Sequence, residues 1–186
     1  MEKKIWSLKI PIKKNIKDKE IQKFFYICKN KLGLIPNIIR TNSIDKKKFD
    51  AFNIFYNRLM QDDNYLSKIE KEMIAVVVSS INRCLYCCVS HGFTLGKLLK
   101  NNTLAKNILI NYTMADISKK HKEMLNFVNK LTLNSHNIND DDRNKLRKIK
   151  FNEYQILEII EIASFFNMTN RVASGTGMIP NKEYYI

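Results

Sequence analysis

Apolar residues recur along most of the chain three and four positions apart, which is the spacing of one face of an α-helix. The first clear stripe covers about residues 18–32, with Cys28 on its apolar side and Gly33 where a helix commonly ends. Only five Gly and three Pro interrupt the 186 residues. This pattern predicts an all-α protein in which Cys28 packs in the core.

Local signals place the remaining helices. Ser67 and Glu70 form an S-x-x-E capping box, which predicts a helix start, and Pro36 can open a short helical turn. The run Val76 to Val78 also fits a strand, but it follows the capping box within a helical pattern. Helices are therefore expected over residues 18–32, 45–61, 67–80, 84–100, 103–112, 119–133, 140–149 and 153–166, with a last short helix ending near residue 175.

The chain contains no repeat, low-complexity stretch or linker that would divide it. At this length, folding buries roughly 70% of the surface that the unfolded chain exposes, so the core needs no disulfide. Residues 1–186 are therefore expected to form a single compact multi-helix domain.

The net charge is large, yet it is a weak guide to function. The chain has 32 Lys and Arg against 18 Asp and Glu, a formal charge of +14, and 26 of the basic residues are Lys. They are spread along the chain, whereas a nucleic-acid binder more often concentrates Arg and aromatic residues in one stripe. A solvated basic surface is favoured, and nucleic-acid binding is not expected; a basic scaffold or RNA-associated protein is the weaker alternative.

The hydropathy pattern argues against two further classes of protein, membrane-spanning and secreted proteins. No apolar stretch approaches the roughly 18 to 20 residues that a membrane-spanning helix needs. The first 15 residues mix Lys with scattered Ile and Leu, without the apolar core of a secretory signal. A cytoplasmic protein without membrane contact is expected, and import into an organelle stays open.

The candidate chemistry lies between residues 84 and 91. If Cys84 opens a helix, Cys84 and Cys87 share one face with Cα atoms roughly 5 to 6 Å apart, so they can form and break a disulfide. His91 follows Cys87 by four residues and stacks on the same face, where it can take a thiol proton. The helix N-terminus favours a thiolate in the first turn, and this argument alone prefers Cys84 as the thiolate.

Glu72 and the two cysteines also allow other interpretations. Glu72, on the preceding helix, can orient His91 or relay its proton, or it can be an exposed helix charge. A zinc site would need four ligands, and His121 and His136 are isolated, so no metal is expected. A Cys-x-x-Cys pair without a secretion signal points to redox exchange.

These residues form the pattern E-x₁₁-C-x-Y-C-x₃-H, which resembles the peroxidase-related branch of the alkylhydroperoxidase D and carboxymuconolactone decarboxylase superfamily. Residues 32–40 contain G-x-x-P-N-x-x-R, and residues 166–171 read F-N-x-x-N-R, both similar to segments of that branch. The resemblance is strongest over residues 32–177. It implies the all-α fold of that family, with the Cys-x-x-Cys at the start of a central helix, and a homo-oligomer, either a trimer or a hexamer.

The resemblance also implies roles for single residues. Cys87 matches the cysteine that attacks peroxide, Cys84 its resolving partner, His91 the proton-relay histidine and Glu72 the relay acid. Tyr86 stands where bacterial alkylhydroperoxidase D proteins have a histidine; a phenol can donate a hydrogen bond but is no base at neutral pH.

Outside this core set, Cys88 points about 100° away from Cys87 around the helix and is expected to pack inward or serve as a regulatory thiol. Asn167, Asn170 and Arg171 are expected to be structural.

The expected function is a thiol-dependent peroxidase that acts on a hydroperoxide and is reset by an external dithiol, by resemblance a dihydrolipoyl group on a protein. No flavin, haem or nicotinamide cofactor is expected, because the chain has no G-x-G-x-x-G and no strand to precede one. The alternative is a disulfide-exchange or redox-sensing module with little peroxidase activity. Decarboxylase-like chemistry, known elsewhere in the superfamily, does without the cysteine pair.

Overall fold

The structure, a computed structural model, describes residues 4–11, 16–61 and 65–185. Residues 1–3 and 12–15 lie outside the described residues. They belong to the N-terminal segment in which no secretory signal is expected. The described residues contain no strand, which confirms the all-α prediction. Their α-helices are α1 (Lys19–Leu32), α2 (Asn37–Asn42), α3 (Lys46–Met60), α4 (Lys68–Ile81), α5 (Leu85–Leu99), α6 (Asn102–Asn111), α7 (Lys119–Leu133), α8 (Asp140–Lys148) and α9 (Glu153–Thr176).

Side-chain caps fix where these helices begin. The capping box before α4 is formed as predicted: the Ser67 hydroxyl accepts from the Glu70 backbone N–H, and the Glu70 carboxylate accepts from the Ser67 backbone N–H. At the other end of α1, Gly33 has a left-handed φ of 75°, which a residue with a Cβ rarely adopts. Short local signals therefore place these boundaries.

The C-terminal helices differ from the prediction. The sequence predicts a helix over 153–166 and a separate short one, whereas α9 is one continuous 24-residue helix that ends at Gly177. The predicted break falls just after Phe166, at Asn167. In the structure Asn167 donates to the Ala163 carbonyl within α9, and Asn170 bonds to side chains of α4 and of the turn that follows it, so the helix continues through both.

Helix α4 lies at the centre of the core. All residues from Met73 to Val78 are buried, so this helix is apolar on every side. It packs against α5, α6, α7 and α9. The strand alternative for Val76 to Val78 is thereby excluded, because these side chains are buried all around a helix.

A buried ion pair ties the start of α4 to α9. The Lys71 ammonium lies 2.9 Å from Glu158 Oε1, with side-chain exposures of 1% and 4%. The other oxygen of Glu158 accepts the backbone N–H groups of Tyr65 and Leu66, just before α4. Burying two charged groups costs free energy unless each keeps its ion-pair and hydrogen-bond partners. This pair therefore stabilises the fold only while both Lys71 and Glu158 are present.

Replacing Lys71 by Ala is expected to lower the free energy of unfolding by about 3–5 kcal/mol, because it leaves the Glu158 carboxylate buried without its cation. Urea denaturation would measure the loss. The matched control is Arg147→Ala, which breaks an exposed pair with Glu153 and should have little effect. Equal losses in the two variants would contradict this account of the buried pair.

Candidate functional site

The two cysteines are placed by a tight connection between α4 and α5. Arg83 takes a left-handed φ of 51°, and the Cys84 backbone N–H then donates to the Ser79 carbonyl at 3.0 Å. Cys84 is the N-cap of α5, and its carbonyl accepts the Cys88 N–H at 2.8 Å. Cys87 therefore lies in the first turn of the helix, close to the sulfur of Cys84.

Both thiols are free and almost completely buried, Cys84 at 1% exposure and Cys87 at 4%. They pack in one small cluster with Tyr86 of α5, Ala173 of α9 and Met178 of the C-terminal segment. The dithiol is thus packed within a buried, mostly apolar cluster.

The two thiols differ in how readily they ionise. A hydrogen bond from the Cys87 thiol lowers the pKa of Cys84 to about 6, with further donation from the Cys87 backbone N–H and the Ser174 hydroxyl and attraction from His91. The same bond raises the pKa of Cys87, since its thiol is the donor, and burial raises it further. A hydrogen bond from the Asn170 amide acts in the opposite direction. The bond between the two thiols therefore favours ionisation of Cys84 over ionisation of Cys87.

The relay pair is in direct contact. Glu72 Oε2 lies 2.8 Å from His91 Nδ1, and the Glu72 carboxylate is buried, so it is not an exposed helix charge. The edge-on ring of Phe166 lies 4.6 Å from the imidazole, between centroids, and limits how it can turn. This contact fixes Nδ1 on the carboxylate and leaves Nε2 for other partners. The relay role itself stays a prediction.

Tyr86 bonds away from the sulfurs. Its hydroxyl accepts the Ile38 backbone N–H at 3.1 Å, and Tyr184 lies nearby. Burial raises the pKa of Tyr86 well above its usual value, so the phenol stays protonated. The ring of Tyr184 lies 5.4 Å from that of Phe93. Sequence reasoning missed Tyr184, because it lies in the C-terminal 3₁₀ turn, far along the chain from the motif.

The start of α2 and the C-terminal segment together cover the dithiol. The Asn37 backbone N–H donates to Asn181 Oδ1 at 2.8 Å, and the Asn37 side chain donates to the Ile179 carbonyl at 2.7 Å. The Asn181 amide in turn donates to the Ile35 carbonyl at 3.0 Å. These reciprocal hydrogen bonds give the G-x-x-P-N segment a structural role, because its Asn37 joins the start of α2 to the C-terminal segment.

The two other cysteines lie outside the pair. Cys88 is partly buried, and burial raises its pKa to about 11. Cys28 is buried in α1, where burial also raises its pKa, in keeping with the packing role expected of it. Neither is expected to ionise at neutral pH.

Within residues 4–11, 16–61 and 65–185, no group of three or more His, Cys, Asp or Glu side chains is arranged to hold a metal ion. No helix in this part of the chain is both long and apolar enough to cross a membrane.

The fold and the site together define a class, the all-α proteins with a dithiol at a helix N-terminus beside a Glu–His pair. The family model of the carboxymuconolactone decarboxylase family matches residues 48–109. An uncharacterized peroxidase-related protein from Silicibacter sp. TM1040 is 43% identical, with a TM-score of 0.95 over 98% of this chain and 95% of that one.

A second solved structure, described as the alkylhydroperoxidase AhpD core and an uncharacterized peroxidase-related protein from Ralstonia eutropha JMP134, is 34% identical. Its TM-score is 0.90 over 95% of this chain and 93% of that one. The apo form of a debrominase shares the fold alone, at 17% identity and a TM-score of 0.77 over 90% of this chain and 89% of that one. A search of curated proteins finds no significant match.

The chain therefore belongs to the alkylhydroperoxidase D and carboxymuconolactone decarboxylase superfamily, as its motifs predict.

The lowered pKa of Cys84 predicts a thiolate at neutral pH. The ultraviolet absorbance of the thiolate, followed with rising pH in the reduced protein, should show a first step near pH 6. Below that pH the sulfur is protonated and the site loses its anion. Cys84→Ser should remove the step, whereas Cys88→Ser should leave it, because the pKa of Cys88 is raised to about 11. A first step near the ordinary thiol pKa would contradict the assignment.

Proposed function

We propose that the protein is a thiol-dependent peroxidase that reduces hydroperoxides through Cys84 and Cys87. The observation that carries the proposal is the hydrogen-bonded pair of free, buried thiols, one with a lowered pKa, near a Glu–His pair that can move a proton. A thiolate is the form that attacks a peroxide.

In the proposed reaction, Cys87 first passes its proton along the S–H···S bond to Cys84 and becomes the thiolate. It attacks one peroxide oxygen, the O–O bond breaks, and His91, held by Glu72, supplies the proton that turns the departing alkoxide into an alcohol. Cys87 is now a sulfenic acid. Cys84 then gives its proton to the now neutral His91 and attacks the sulfur of Cys87; the S–O bond breaks, and the departing hydroxide takes that proton from His91 and leaves as water.

An external dithiol must return the disulfide to two thiols and is itself oxidised to a disulfide. The resemblance to alkylhydroperoxidase D suggests a dihydrolipoyl group carried by a protein as that dithiol, and a trimer or hexamer as the assembly. A thin lipoyl arm could reach the two buried sulfurs more readily than the surface of a folded protein could.

Burial also bears on the disulfide-exchange alternative. The lowered pKa of Cys84 would also suit a thiol that exchanges disulfides with a partner protein. However, a protein disulfide would have to reach a sulfur that is 1% exposed, whereas a hydroperoxide presents a small O–O group. Substrate trapping separates the two functions: an exchange module would leave Cys84→Ser or Cys87→Ser joined to a partner protein by a mixed disulfide.

Peroxide should consume two thiols of the reduced protein. After one equivalent of cumene hydroperoxide, mass spectrometry should show a Cys84 to Cys87 disulfide. Cys87→Ser should abolish the reaction, and Cys84→Ser should stop at a sulfenic acid on Cys87 that dimedone traps. Cys88→Ser is the control and should still form the disulfide. Unchanged turnover by Cys87→Ser would refute the assignment of the attacking thiol.

Glu72→Gln should slow peroxide turnover at least about tenfold, because the amide cannot hold a protonated His91 or take up its charge. Its pH–rate profile should also change on the acid side, which a purely structural loss would not cause. Glu70→Gln is the matched control: it lies on the same helix, and Gln can still complete the capping box with Ser67. If the two variants were equally active, Glu72 would have no part in the relay.

A further inference from the structure

The turn between α4 and α5 contains a residue in an unfavourable backbone conformation. Arg83 has a φ of 51°, in the left-handed region that residues with a Cβ rarely adopt. Cys84 follows it directly and, as the N-cap of α5, has an extended φ of −78° and ψ of 99°. The position of the Cys84 sulfur therefore depends on this turn, whereas Cys87 belongs to the body of α5.

The side chain of Asn82, in the same turn, is bonded to two side chains of α9. Its amide nitrogen donates to Asn167 Oδ1 and to Asn170 Oδ1, each at 3.0 Å. A side-chain amide nitrogen carries two hydrogens, so both are used. The two asparagines of the F-N-x-x-N-R segment lie one helical turn apart on the same side of α9, and both bond to the residue two positions before Cys84.

Other bonds fix the orientation of the Asn167 amide. Its oxygen also accepts from the Arg171 guanidinium at 2.9 Å, and its nitrogen donates to the Ala163 carbonyl at 3.0 Å. A guanidinium can only donate and a carbonyl can only accept, so the amide cannot be reversed. The oxygen of Asn167 is thereby held toward Asn82.

Asn170 joins the turn to the residue that anchors Cys84. Its nitrogen donates to the Ser79 hydroxyl at 3.2 Å, and that hydroxyl donates its one proton to the Ala75 carbonyl at 2.6 Å. The hydroxyl can therefore only accept from Asn170, which leaves the Asn170 oxygen for Asn82. The Ser79 carbonyl accepts the Cys84 backbone N–H at 3.0 Å. Because Asn170 is 1% exposed, water cannot readily replace its amide.

We propose that Asn82, Asn167 and Asn170 are positioning residues for the dithiol, which hold the α4–α5 turn so that the Cys84 sulfur stays beside that of Cys87 and the two can close a disulfide. Without these bonds the turn is free to relax, and the effective concentration of one thiol near the other falls. The use of this disulfide in peroxide reduction rests on the proposed function, but the placement of Cys84 does not.

The test is the redox equilibrium of the full-length chain with glutathione. Oxidised glutathione takes two electrons and two protons from the dithiol, which leaves a Cys84–Cys87 disulfide and two molecules of reduced glutathione. Alkylation and mass spectrometry of equilibrated samples give the equilibrium constant. This constant compares the two redox states of one variant, so a loss of stability that is equal in both states does not change it.

Asn82→Ala should lower this constant about tenfold, because both bonds to α9 are lost. Asn82→Asp should lower it at least as much, since a carboxylate cannot donate and would face two fixed oxygens. Asn167→Ala leaves the bond to Asn170 in place and should lower the constant about threefold. If the Asn82 variants fail to fold, Asn167→Ala carries the test.

Thr169→Ala is the matched control. Thr169 is a buried polar residue of α9 next to Asn170, and its hydroxyl donates to the Phe166 carbonyl at 3.3 Å within the same helix. No hydrogen bond among the described residues joins its side chain to the α4–α5 turn. Its loss should make the protein easier to unfold in urea without changing the constant with glutathione.

The proposal is overturned if a folded Asn82 or Asn167 variant keeps or exceeds the wild-type constant, if Thr169→Ala lowers it equally, or if the wild type forms no Cys84–Cys87 disulfide with glutathione. Peroxide turnover, measured in parallel, keeps the two claims apart. Lowered constants in variants of a protein that does not consume peroxide would support the inference and refute the proposed peroxidase. Normal turnover of the wild type with unchanged constants in the folded variants would do the reverse.

Discussion

The site depends on one physical constraint, the cost of placing a negative charge on a sulfur that water hardly reaches. A buried thiolate forms only where hydrogen-bond donors replace the lost solvent. Here Cys84 receives them from the Cys87 thiol, the Cys87 backbone N–H and Ser174, while its own backbone is anchored to Ser79. Two neighbouring helices supply such donors: α5 supplies a backbone N–H group at its N-terminus, and α9 supplies a side-chain hydroxyl.

The rigidity of that arrangement comes from α4. This helix is buried on all sides, and it carries Glu72 toward His91 and Ser79 toward Asn170. Both contacts are set by the same packed helix, so the imidazole and the amide are positioned relative to the sulfurs without relying on surface loops. The buried Lys71–Glu158 pair extends this arrangement, because it joins the residue beside Glu72 to the same helix, α9, that carries Asn170.

Much of the fold could be predicted from local signals. Capping residues, Gly33 and the apolar spacing placed the helices, and the spacing of Cys84, Cys87 and His91 placed them on neighbouring turns of α5. The division of α9 was wrong, since no local pattern shows that Asn167 and Asn170 find side-chain partners on other elements while α9 continues. The C-terminal cover was not predictable either, since Asn37 and Asn181 meet across most of the chain's length.

The two sequence arguments about the nucleophile disagree, and the structure shows why both have a basis. The helix N-terminus favours charge on Cys84, where the pKa is lowered, whereas the family resemblance assigns the attack to Cys87. The proposed reaction reconciles them, because one proton transfer between the two neighbouring sulfurs moves the charge from Cys84 to Cys87. A thiolate of very low pKa is also a weaker nucleophile. In the proposed reaction, a resting charge on Cys84 therefore leaves Cys87 the more reactive sulfur when it ionises.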